Sequence, residues 1–242
     1  MSLPSQSYTR NLLLGAMSEE DFALLQPHLG RVDLERNDGL FEPDREIAHL
    51  HFLEAGVGSI VSDEEGGEQI EVGIVGREGV SGIPVLLGAD RTPHRGFMQV
   101  GPTTALRIDA DRLREAINAS ESLRNLLLRY VQTFMIQTAQ TATANGNYTL
   151  PERLARWLLM CHDRIDGDEL ELTHEFMSMM LAVRRSGVTV TLHTLEAAGA
   201  IRTMRGRIAV RDRSKLLSVA GESYGRPEEE YRRLIGPFGK AS

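Results

Sequence analysis

LTHEFMSMMLAVRRSGVTVTLHTLEAAGAIRTMRGRIAVRD, residues Leu172–Asp212, lays two helices and a ribbon in a row. Thr173 is a good N-cap, and Phe176, Met177, Met180 and Leu181 recur behind it at helical spacing. The pattern breaks at Ala182–Arg184 and a second helix runs on to about Ala198, where Gly199 supplies the positive φ of a C-cap. Ala200–Met204 and Arg207–Val210 then read as two short strands pinched at Arg205-Gly206. Helix, turn, helix, ribbon is the outline of a winged helix-turn-helix.

The polar residues suit that outline. Arg184, Arg185, Ser186 and Thr189 crowd the start of the second helix, while Val188, Leu192 and Leu195 form its core-facing stripe. An arginine here is a natural partner for guanine O6 and N7, and Ser186, Thr189 and Val190 lie where edges or methyl groups are read. Thr173, His174, Arg184 and His193 are expected at phosphates, with Arg205 and Arg207 at the wing tip. The alternative is a solvated basic helix face.

The net charge of −7 argues against a nucleic-acid binder, but its distribution does not. Residues 173–213 hold seven arginines against three acids, whereas residues 1–172 hold 15 basic and 27 acidic side chains. An acidic front with a basic back is expected when one part of a chain touches DNA. No apolar run approaches the roughly 18–20 residues a bilayer span needs, and the N-terminus lacks a secretory pattern. The single cysteine, Cys161, excludes an internal disulfide. A cytoplasmic, non-membrane protein is expected.

Upstream, residues 8–29 read as a small helical start with Ser18 as a cap. Short apolar pieces predict strands near 31–36, 39–42, 47–53, 57–62, 69–75, 96–101 and 104–109, the spacing of a sandwich or barrel. Asp63-Glu64-Glu65-Gly66-Gly67-Glu68 reads as a solvated turn. A short helix over 109–117 leads to a cap at Asn118 or Ser120 and a long helix from Glu121 to about Ala144, roughly 36 Å by the helix rise. Leu123, Leu126, Leu127, Tyr130 and Phe134 fall near heptad spacing, either a dimer seam or a helix packed on its own barrel. Pro151 opens a helix over 151–164 that buries Cys161. A helix is predicted over 214–223, and beyond Pro227 the tail reads as charged and loosely ordered.

The order sensor, long helix, hinge and winged helix-turn-helix resembles the catabolite-activator and fumarate–nitrate-regulator (CRP/FNR) superfamily. The likeness is strongest over Leu172–Asp212 and also touches Gly76-Arg77-Glu78-Gly79-Val80-Ser81-Gly82 and Leu50-His51-Phe52-Leu53-Glu54-Ala55-Gly56. It implies an α+β chain: a cyclic-nucleotide-binding-like β-barrel of jelly-roll type (1–117), a long dimerisation helix and hinge (118–147), a winged helix-turn-helix (148–225) and a tail (226–242). It also implies a homodimer on a pseudo-palindromic double-stranded operator, with RNA polymerase as a further partner and a small-molecule effector of unknown identity.

The family's cyclic-nucleotide members carry a Gly-Glu-Leu run and a downstream Arg-Ser pair. Here the first position reads Ser81-Gly82-Ile83, without a carboxylate, and the second Pro93-His94, with Arg95 displaced. Arg77, Glu78, Gly82 and Arg95 remain the effector-site candidates, and cyclic AMP is not expected. Gly76–Gly79 with Gly82 is either an anion-binding turn or a glycine-rich corner. His49 and His51 share a strand face, but no third ligand stands at useful spacing, so a half-exposed strand face is expected there, with no metal and no cofactor. With no nucleophile–base grouping or Walker loop, an enzyme is not expected. The competing functional reading is a small-molecule-binding module whose helix-turn-helix mediates protein contacts.

Overall fold

The computed structural model of the chain describes residues 3–63 and 69–240. Two short helices, α1 (Leu12–Gly15) and α2 (Glu19–Leu25), come first, and Ser18 caps α2 by accepting from the Asp21 amide at 3.1 Å. All seven expected strands form: β1 (Gly30–Leu34), β2 (Gly39–Phe41), β3 (His49–Leu53), β4 (Val57–Asp63), β5 (Gln69–Val75), β6 (Arg95–Val100) and β7 (Thr103–Asp109). The short helix α3 (Ile83–Leu86) lies between β5 and β6 and was not anticipated. The strands make two antiparallel sheets, β1-β7-β3 and β2-β6-β4-β5, linked by a bridge from Phe52 to Val80. This is an open double-sheet roll of jelly-roll type rather than a closed barrel. Asp63 pairs with Gln69 where the acidic turn was read, and residues 64–68 of that turn lie outside the described residues.

Helix α4 (Ala110–Ala119) leads into the long helix α5 (Glu121–Asn147), and Ser120 Oγ caps the latter by accepting from the Leu123 amide at 3.2 Å. Helix α6 (Leu150–His162) opens with a reciprocal capping box between Thr149 and Glu152. Strand β8 (Glu169–Leu170), helices α7 (His174–Met180) and α8 (Arg185–Ala197), and strands β9 (Ile201–Met204) and β10 (Arg207–Val210) follow, with β8, β10 and β9 in one sheet. Two more helices, α9 (Arg213–Ala220) and α10 (Arg226–Leu234), complete the order.

Strand alternation explains how two cores share one sheet. From β4, β5 and β6, Ile60, Val75 and Met98 face the sensor core, while Val57, Val61, Ile74 and Phe97 face away. The outward set is not solvated. It packs with Trp157, Phe176, Met177 and Met180, so the helix-turn-helix half is seated on the back of the sensor sheet.

Three expectations change. Leu123, Leu127 and Tyr130 are buried in the sensor core of their own chain, with Leu126 and Phe134 packed beside them, so this face of α5 is the helix-on-its-own-barrel alternative. The exposed stripe is instead Asn125, Leu128, Gln132, Met135, Ala139 and Ala142, at alternating spacings of three and four. The tail is not loosely ordered: α10 packs on α5 and buries Tyr231. The histidine face of β3 is half-exposed only at its start: His49 meets Asp109 at 3.1 Å, whereas His51 is buried with its Nδ1 3.3 Å from Ser81 Oγ.

Candidate nucleic-acid interface

The helix-turn-helix is built from local preferences. Thr173 Oγ1 accepts from the Phe176 amide at 3.1 Å and starts α7. The chain reverses through Ala182 at φ 50°, a left-handed position that L side chains occupy at a cost. Arg184 is the extended N-cap of α8. Helix α8 then buries Val188, Thr191, Leu192 and Leu195 and leaves Arg185, Ser186, Val190 and His193 exposed, with Thr189 half-buried. Val190, 66% exposed, puts an apolar side chain in the middle of this polar face.

His174 is engaged by its neighbour on α8. Thr189 Oγ1 donates to the Arg185 carbonyl at 3.1 Å, so its lone pairs accept from His174 Nδ1 at 3.0 Å. That leaves Nε2 an acceptor in the neutral ring. Burial, helped by the charge of Arg185 and by His193, holds the His174 pKa below its ordinary value. His174 and Thr189 thus tie the start of α7 to the N-terminal part of α8.

The wing is tied to α8 by Glu196, which accepts from the Thr203 amide and hydroxyl, each at 2.7 Å. These bonds hold its carboxyl below the usual range. Gly206 takes φ 73° at the tip, and Arg205 is exposed beside it. Arg207 is exposed too but faces Glu169 at 3.7 Å and Glu171 at 3.2 Å, so it meets acids before any phosphate. Arg202, exposed on β9, was missed in the sequence because strand alternation there was read only for its apolar residues.

The effector candidates do not converge. Arg77 Nη2 pairs with Asp166 at 2.9 Å, and Glu78 pairs with Arg164 at 2.7 Å in a buried contact. Gly82 takes φ 74° against Ile47 and Leu50, a corner of the sensor rather than an anion cradle. Arg95 lies 3.7 Å from Glu42 and over the Phe97 ring. Arg77 and Glu78 thus face the helix-turn-helix half. Among the described residues no group of three or more potential ligands forms a metal site, and no helix is long and apolar enough to cross a membrane. Cys161 is fully buried and its thiol pKa is pushed up by burial, as its apolar neighbours implied.

The fold is that of a winged helix-turn-helix packed on a double-sheet N-terminal half. Residues 152–219 match the Crp-like helix-turn-helix domain family. The global nitrogen regulator of Nostoc sp. strain PCC 7120 is 26% identical over 65% of this chain and 73% of its own length. That of Synechocystis sp. is 24% identical over 85% of this chain and 94% of its own. Among solved structures, a CRP/FNR-family regulator from Eubacterium rectale superposes with a TM-score of 0.67 at 16% identity, covering 86% of this chain and 97% of its own. A CRP-family regulator from Thermus thermophilus gives 0.67 at 19% identity, covering 81% and 98%. Residues 152–219 are thus similar to the Crp-like helix-turn-helix family, and the chain as a whole shares the fold of CRP/FNR-family regulators.

Proposed function

We propose that the protein is a cytoplasmic, homodimeric regulator that reads double-stranded DNA through α8 and is not an enzyme. The observation that carries this is the face of α8 itself: Arg185, Ser186 and Val190 open at the surface above a fully buried Val188–Leu192–Leu195 stripe. A helix so anchored enters a major groove with its N-terminal side chains toward base edges. Arg185 is assigned to guanine, Val190 to a thymine methyl, and Arg184, Arg202 and Arg205 to phosphates. Two copies meet along the exposed α5 stripe centred on Leu128 and Met135, placing their α8 helices about one DNA turn apart. RNA polymerase is the expected further partner. Cyclic AMP is not the effector: Ser81-Gly82-Ile83 supplies no ribose carboxylate, and the nearby Glu78 is held by Arg164.

Selection of bound sequences from a random DNA pool tests this, and a palindrome is the expected result. On that site Arg185→Ala costs about 1–3 kcal/mol and relaxes one base position. Arg184→Ala weakens all sequences alike and lowers the salt dependence. Equal loss on selected and random DNA for both variants removes Arg185 as a reader.

A further inference from the structure

Three parts of the chain meet at Glu78. Its Oε1 accepts from Arg164, Nε at 2.9 Å and Nη2 at 2.7 Å, in the segment just after α6. Its backbone carbonyl accepts from the Tyr231 hydroxyl of α10 at 2.7 Å. One residue on, Gly79 lies flat against the Tyr130 ring of α5, whose hydroxyl donates to the Val80 carbonyl at 3.2 Å. The 76–82 loop is therefore gripped from the DNA-binding half, the long helix and the C-terminal segment at once.

The C-terminal segment fills the cleft between that loop and α5. Gly225, at φ 115°, turns the chain back in a conformation closed to other residues, and α10 then presents Pro227, Glu228 and Tyr231 inward. Its outward face carries Glu229, Arg232 and Arg233. Phe238 packs on Tyr231 with ring centroids 5.1 Å apart and lies 5.1 Å from the Arg164 guanidinium. The cavity left among Glu78, Tyr130, Phe134, Arg164 and Tyr231 is only about 10 Å³, no more than one water. Beyond Phe238 the segment reaches the DNA-binding half, where the Lys240 amide donates to Asp163 Oδ1 at 2.9 Å.

We propose that Gly225–Lys240 is an internal clasp, seated in the cleft between the 76–82 loop and α5 as a bound peptide would be. By holding Glu78 at one end and Asp163 at the other, it fixes the DNA-binding half on the back of the sensor. The surface it covers recognises a segment carrying two aromatic rings and a hydroxyl donor, and the occupant is the chain's own C-terminus. The clasp acts in the DNA-free protein, so its test is independent of the reading of α8.

Hydrogen exchange on the full chain provides that test. Phe238→Ala is expected to accelerate exchange in the 76–82 loop by about a hundredfold or more, since a buried ring is lost. Tyr231→Phe removes one hydrogen bond and is expected to give about fivefold. Exchange in β1 and β7, on the far sheet, stays unchanged in both. A synthetic 225–240 peptide added to the chain ending at Tyr224 restores protection of the loop in a saturable manner. Unchanged loop exchange in Phe238→Ala, or equal acceleration in β1 and β7, overturns the clasp. Should the shortened chain not fold, the two point variants decide.

Discussion

Arg185 and Arg164 are the same residue type used in opposite ways. Arg185 stands exposed at the start of α8, with no ion pair among the described residues. Arg164 is 1% exposed, its guanidinium between Glu78 and the Phe238 ring and its stem so close to Gly76 that a Cβ there would come within 2.6 Å. The contrast separates surfaces kept open for a partner from surfaces already satisfied within the chain. A charge left in water costs little to keep ready, whereas a buried charge is tolerated only with its counter-ion in place.

Breaking the buried side should have the largest effect. Arg164→Ala leaves Glu78 buried and unpaired, and a loss of about 3–5 kcal/mol is expected in urea unfolding. A loss under about 1 kcal/mol, the range of an exposed pair, would erase the contrast. Arg207→Ala, which removes the exposed wing pairs with Glu169 and Glu171, is expected to stay within about 0.5 kcal/mol.

The junction also contains Glu71, fully buried between the sensor sheet and α6. Its Oε2 accepts from Ser59 Oγ at 2.6 Å and its Oε1 from Trp157 Nε1 at 2.7 Å. Burial pushes its pKa up to about 7 from an ordinary 4.5, against the pull of those two donors. The folded state therefore favours the protonated acid. That contribution is complete below about pH 4.5 and is lost as pH rises through about 7, a loss of about 3 kcal/mol in all. Glu71→Gln is expected to flatten this window, and denaturation series for both proteins between pH 4.5 and 8 check it. Parallel curves would mean that Glu71 stays ionised. A smaller effect of the opposite sign is expected in the turn: Ala182→Gly relieves the left-handed strain and gains up to about 1 kcal/mol in thermal unfolding, without altering DNA selectivity.

These two regions were also unequally legible. The helix-turn-helix is specified by neighbours in the chain: Thr173 caps three residues ahead, Val188, Leu192 and Leu195 repeat at helical spacing, and Gly206 turns the wing. The α5 face stayed open between a dimer seam and an intrachain core because Leu123, Leu127 and Tyr130 satisfy a heptad as well as they satisfy such a core. Apolar spacing says that a face is buried, not against what. Arg77 and Glu78 looked like ligand groups for the same reason, since a charged pair near glycines does not reveal that Arg164 and Asp166, some 90 positions on, are its partners.

The tail shows the limit most clearly. Residues 226–234 carry six charged side chains, and local composition reads as solvated coil. Only the cleft between the 76–82 loop and α5 makes a helix of them, by burying Tyr231 and accepting its hydroxyl. Local signals, caps, periodicity and turn glycines, determined the order of elements and the exposed polar face of α8, because each acts within a few residues. Which surfaces are closed and which stay open was decided by tertiary structure, because burial depends on partners that the chain brings together only on folding.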